Sequence, residues 1–218
     1  MKILIIAPHP DDEIIGSGGL IANGNNKIHV LFGSVGKCRQ LVTGQTTEDV
    51  RLKEVKQVAK EAGYTYEIMF IGEEFMQLDS LPIKQLIDKI EDCIEKVKPD
   101  MCILPYGGSF DQDHRTIFTA SITALRPRPQ GVRHFVPRIL ESEEPHDWGF
   151  IAFTPNYYIS INASRKVELL KLHKTQYREG VFTRSGENLI RLAKMRGAEV
   201  GIAEAEAYKI LRWFECPL

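Results

Sequence analysis

The sequence is most informative first for what it lacks. Its four cysteines, Cys38, Cys93, Cys102 and Cys216, form no CxxC pair. That argues against a zinc knuckle or a disulfide framework and fits a reduced, cytoplasmic setting. No apolar run approaches the roughly 20 residues needed to span a bilayer. The short run that opens the chain is cut at once by proline, histidine and acids, which the core of a signal peptide would not tolerate. Lysines and arginines are interleaved with acids at a formal net charge of -1, so no basic block calls for a nucleic acid. There is no low-complexity linker and no internal repeat, and a single domain spanning 1–218 is expected.

What is present is an alternation of strands and helices. Apolar runs at Ile3–Ile6, Ile28–Phe32, Tyr66–Ile71 and Met101–Leu104 read as strands. Between them lie helical patterns at Glu13–Ala22, from a Thr46/Asp49 capping pair to Ala62 with an inward stripe of Leu52, Val55, Ala59 and Ala62, and from Ser80 through Val97. A fourth helix, His114–Leu125, follows Asp113 as its expected N-cap, and Asp113, like Glu13, is also a candidate to support the metal ligands. Gly33–Thr47 reads as a long polar loop carrying Lys37, Cys38 and Arg39. The second half is less regular, with strands expected at Val136–Leu140 and Tyr157–Ile161, a helix from a Ser164 cap to Tyr177 and another near Glu187, while Ala207–Phe214 is left unassigned. This rhythm implies an α/β protein, a Rossmann-like three-layer sandwich with a mainly parallel sheet.

The chemistry concentrates in Ala7–Glu13, read as APHPDDE, directly after the first strand. Loops at the carboxyl ends of such strands converge on a crevice where ligands bind. A metal-dependent hydrolase needs about three protein ligands and an open position. His9 and Asp12 supply two, His114 at the next strand-end loop is the best-placed third, and Asp11 suits a general base. Glu13 would support the first helix turn or the ligands. The alternative is that Asp11 or Asp12 merely caps the helix while His9 bonds locally. Gly16, Gly18 and Gly19 do not spell GxGxxG, and acids precede the turn where a pyrophosphate would sit, so a dinucleotide fingerprint is weakly supported; the glycines let a helix approach the sheet closely.

PHPDDE after a first strand, Arg51 with Glu54, the DQDHR stretch at Asp111–Arg115 and HKTQ at His173–Gln176 together resemble the PIG-L/LmbE family of N-acetylglucosaminyl deacetylases. The landmarks span nearly the whole chain. The resemblance implies a Rossmann-like fold, zinc held by His9, Asp12 and His114, Asp11 as base, and hydrolysis of the N-acetyl group of an amino sugar. Iron or manganese suits the same donors. The small-molecule sugar is the expected partner, with a homo-oligomer allowed. One departure stands out. Where the family commonly has HxxH, supporting the oxyanion or the departing amine with its first histidine, this chain has Asp111. The metal alone then polarises the carbonyl, or another histidine such as His146 or His173 enters the site, or catalysis is weakened.

Arg51, Lys37, Arg39, Trp148 and His173 are the candidate substrate contacts, with Phe153 and Tyr157 as sugar-stacking or wall residues. His29 and His134 read as structural. Two further functions remain open: a noncatalytic sugar or nucleotide-sugar binding module, suggested by Asp111, and an amide hydrolase acting on thiol-glycoside conjugates.

Overall fold

The structure, a computed structural model, describes residues 1–40, 44–72, 75–129, 131–145 and 152–215, without the side chains of residues 38–40. Its centre is a seven-stranded sheet in the order β5-β2-β1-β6-β7-β9-β8. The strands are β1 (Lys2–Ala7), β2 (Lys27–Val35), β5 (Thr65–Ile71), β6 (Met101–Leu104), β7 (Arg138–Ser142), β8 (Tyr157–Ser160) and β9 (Ala205–Trp213). The first five in space, β5 to β7, run parallel, and β9 and β8 add an antiparallel edge. The unassigned closing segment is therefore a full strand, zipped between β7 and β8.

Helices cover both faces. Ile3, Ile5 and Ala7 of β1 face one core with residues of α1 (Asp12–Ala22), α2 (Glu48–Ala62), α5 (Ala163–Leu170) and α6 (Gly186–Glu199). Leu4 and Ile6 face the other, built with α3 (Ile83–Val97) and α4 (Gln112–Ala124). Strand side chains alternate in direction, so an unbroken apolar β1 feeds two cores, as a strand covered on both faces must. Chain order reverses at β1: β2 lies on one side of it and β6 on the other. The loops after β1 and β6 therefore part around a crevice at the carboxyl ends of the strands.

Several expected boundaries move. The polar loop after the second strand is structured: β2 runs to Val35, and a small antiparallel hairpin pairs β3 (Cys38–Gln40) with β4 (Gly44–Thr46). Thr47, not Thr46, precedes α2, and it caps without a side-chain bond. The buried stripe of α2 is Arg51, Glu54, Val55, Val58 and Ala59, because two polar side chains find partners inside. Asn162, not Ser164, caps α5 through a bond from the Arg165 amide at 2.9 Å, and that helix stops at Leu170. His134 lies ahead of β7 and bonds the Pro99 carbonyl. Among the described residues no helix is long and apolar enough to cross a membrane.

Candidate metal centre and active site

The β1–α1 turn is held by the backbone and leaves its carboxylates to the site. Asp11 stands at φ 107, a conformation non-glycine residues seldom adopt. Its amide donates to Glu13 Oε2 at 2.9 Å, and its carbonyl accepts from the Ile14 and Ile15 amides. Although Asp11 occupies the N-cap position of α1, its side chain makes no capping bond. The simple capping reading thus fails for Asp11, whose carboxylate is turned elsewhere. Asp12 folds back to accept the His9 amide through Oδ2 at 2.9 Å.

His9, Asp12 and His114 come together as expected: one donor atom from each lies within 4.8 Å of the others, and all three residues are buried. Asp12 Oδ2 sits 3.6 Å from His9 Nδ1 and 3.3 Å from His114 Nε2. The outer ring nitrogens face carboxylates. His9 Nε2 is 2.9 Å from Asp113 Oδ2, and His114 Nδ1 is 3.6 Å from Glu144 Oε1. A carboxylate behind a ligating imidazole fixes which nitrogen carries the proton and leaves the other lone pair for a cation. Electrostatics agree. Burial alone would push the His114 imidazole down, yet Asp12 and Glu144 raise it to about 10. Burial likewise opposes ionisation of Asp12, but His114 and His9 hold its carboxyl well below the usual range. The cluster is therefore a place that strongly favours positive charge, and its donor set of two imidazoles and a carboxylate fits a divalent ion.

Asp11 lies beside this cluster. Burial raises its carboxyl to about 6, against the pull of the nearby Arg184 guanidinium. Arg184 Nη1 is 3.4 Å from Asp11 Oδ2 and 3.9 Å from Asp12 Oδ1. Neither Arg184 nor Glu144 stood out in the sequence. Both lie in irregular segments, where no periodicity points a side chain inward.

The remaining candidates fall into three groups. Glu13 and His173 form a buried support: Glu13 Oε1 accepts from the Tyr64 hydroxyl at 3.0 Å and meets His173 Nε2 at 2.8 Å. His173 is fully buried, so it braces α1 and offers a substrate no surface. Its neighbour Thr175 donates to Glu54 through both backbone and hydroxyl, at 2.9 and 2.6 Å. Arg51, also expected at the substrate, is 1% exposed; it donates to the Gly36 carbonyl and stacks over Phe75 at 4.3 Å.

At the DQDHR stretch the cap is Asp111 and not Asp113, and Asp113 is free to support a ligand. Asp111 is the N-cap of α4, accepting the Asp113 amide at 2.8 Å. Asp113 points inward to His9 and also accepts the Leu78 amide at 2.9 Å. Lys37 is exposed just beyond β2. Phe153 is buried edge-on against Tyr106, and Tyr157 packs on Tyr208 and Trp213. The Arg39 side chain, His146 and Trp148 lie outside the described part of the chain.

Known proteins share this architecture. Diacetylchitobiose deacetylase from Thermococcus kodakarensis is 26% identical over 227 residues, covering 96% of this chain and 83% of its own. The structure of N,N'-diacetylchitobiose deacetylase from Pyrococcus horikoshii superposes with a TM-score of 0.74 at 19% identity, covering 97% of this chain and 84% of its own. GalB, the 4-carboxy-2-hydroxymuconate hydratase of Pseudomonas putida, matches equally well at TM-score 0.74 and 19% identity, covering 100% of this chain and 99% of its own. Likeness of fold therefore does not choose the reaction. The sequence itself is more specific: residues 4–125 match the model of the GlcNAc-PI de-N-acetylases. With more than half of its length inside that match, and with PHPDDE and DQDHR both within it, the chain belongs to the PIG-L (GlcNAc-PI de-N-acetylase) family.

Proposed function

We propose that this protein is a metal-dependent N-deacetylase of amino sugars, acting as a single catalytic domain in a reducing, cytoplasmic setting that suits its buried free thiols Cys93 and Cys102. The observation that carries the reading is the buried His9, Asp12 and His114 cluster with the uncapped Asp11 carboxylate beside it. These three residues would hold the ion, zinc foremost, with iron or manganese compatible with the same donors. When bound, a divalent cation supplies Lewis acidity, polarising a carbonyl and acidifying water.

The chain's own residues do the rest. Asp113 and Glu144 keep the two imidazoles oriented with their lone pairs toward the ion. Asp11, with its carboxyl raised toward neutrality, takes one proton from the attacking water as the new oxygen–carbon bond forms and the carbonyl electron pair moves onto oxygen. When that pair returns, the carbon–nitrogen bond breaks. The departing nitrogen receives the proton from Asp11, leaving acetic acid, which ionises, and a free amino sugar.

A panel of N-acetylglucosamine, N,N'-diacetylchitobiose and UDP-N-acetylglucosamine, assayed for acetate with zinc restored, tests the reading. Release from at least one is expected, and release from none would overturn it. Asp111, a helix cap where the family pattern has histidine, favours one second reading, a sugar-binding module without turnover. In that case a bound sugar persists intact over time by mass spectrometry. Cleavage of a thiol-glycoside conjugate in preference to all three sugars would redirect the substrate and keep the amide chemistry.

A further inference from the structure

Amide hydrolysis places negative charge on the former carbonyl oxygen, and this site is already crowded with acids. Asp11, Asp12, Glu13, Asp113 and Glu144 are all buried around it. Even beside the two charges of an ion, an oxyanion forming here would be stabilised by a further positively charged donor. Asp111 cannot provide one: its carboxylate accepts the Asp113 amide as the α4 cap. Arg51 is close enough to influence Asp11, but it is sealed in, stacked on Phe75 and bonded to Gly36. Arg184 differs from both. Its side chain is 31% exposed while those of Asp11 and Asp12 beneath it are 5% and 4% exposed. It thus lies on the solvent side of these buried acids.

We propose, resting on the deacetylase reading, that Arg184 is a catalytic residue whose guanidinium donates to the carbonyl oxygen as it becomes an oxyanion. Its contacts to Asp11 and Asp12 at 3.4 and 3.9 Å are long and made through one nitrogen, Nη1. A guanidinium carries five N–H donors in a rigid fork, so it can keep facing these carboxylates while another N–H turns to a ligand. The covalent step is the one given above, with the electron pair resting on oxygen opposite Arg184 until the amine leaves. Two discrete features of this chain thus compensate: an aspartate at 111 gives α4 its cap, and an arginine on the facing irregular segment gives the oxyanion its donor.

The test uses the full-length, metal-loaded protein and whichever panel sugar it cleaves. Arg184→Gln is expected to lose about 100- to 1000-fold in kcat, the scale of one oxyanion donor, with metal content unchanged and little change in KM. Arg184→Lys should recover part of the loss, and methylguanidinium added to Arg184→Ala should restore turnover saturably. Full kcat in Arg184→Gln, a loss confined to KM, or a loss that neither lysine nor methylguanidinium relieves, would overturn the assignment. Wild-type protein that releases no acetate refutes the deacetylase reading itself, whereas an active wild type with an equally active Arg184→Gln refutes only the role of the arginine.

Discussion

Replacing Asp113 by asparagine changes one oxygen into an NH2 group and leaves the shape almost untouched. In the native protein this fully buried carboxylate accepts twice, from the Leu78 amide at 2.9 Å and from His9 Nε2 at 2.9 Å. Asparagine has one carbonyl oxygen, so its NH2 must confront one of those two N–H groups. If it confronts His9, the imidazole is driven to the other tautomer, and Nδ1, the atom 3.6 Å from Asp12, then carries a hydrogen instead of a lone pair. If it confronts Leu78, a buried amide is orphaned at about 1–3 kcal/mol. In either arrangement His9 loses a charged partner behind it. Removing such a partner lowers metal affinity by about 10- to 100-fold, or roughly 1.4–2.7 kcal/mol. Competition with a chromophoric zinc chelator reads the affinity, and urea unfolding of the metal-free protein reads the stability. A variant that binds zinc as tightly as wild type would refute Asp113 as the group that orients His9.

Other consequences follow from the same contacts. Burial would lower the His173 imidazole, but Glu13, with Asp11 and Glu54 beyond it, raises it above its ordinary value. Its contribution is therefore complete below the unfolded value near 6.5 and is lost as pH rises through the raised folded one; the stability advantage of wild type over His173→Gln should shrink as pH rises above about 6.5 in metal-free protein, and a flat difference would contradict the pairing. Gly19→Ala places a Cβ within 2.5–2.8 Å of three Ile161 side-chain atoms. Overpacking of about 1–3 kcal/mol should outweigh the gain of about 1 kcal/mol in helix propensity, lowering the urea midpoint; an unchanged or raised midpoint would show that Ile161 yields freely.

Much of the site was legible because its parts sit at punctuation in the chain. An unbroken apolar strand followed by PHPDDE located His9, Asp11 and Asp12, and the next strand-end loop located His114. The parallel sheet followed from alternating periods of two and 3.6. What escaped notice lacks such a period. Arg184 lies in an irregular stretch and Glu144 follows the end of β7. Arg51 reads as a substrate contact in the sequence because the Phe75 ring that covers it is remote along the chain. The transfer of the cap from Asp113 to Asp111 has a similar cause. Either aspartate suits an N-cap, and only the position of His9 across the crevice, 104 residues earlier, decides which one turns inward.

The landmarks Glu54 and HKTQ acquire a physical meaning. They are the two ends of a brace, with Thr175 on Glu54 and His173 on Glu13, that ties α2 and the segment after α5 to the base of the metal cluster.

In the proposed mechanism His9, Asp12 and His114 hold an ion for which Asp11 manages the proton. Asparagine is among the few residues that tolerate a positive φ, so Asp11→Asn alters the chemistry with least disturbance of the turn at φ 107. The decisive measurement pairs bound-metal stoichiometry with acetate release for wild type and Asp11→Asn. One divalent ion per chain is expected in both, with turnover in the variant reduced about 100- to 10,000-fold. Protein that binds no stoichiometric metal, or an Asp11→Asn variant with full turnover, would contradict the account.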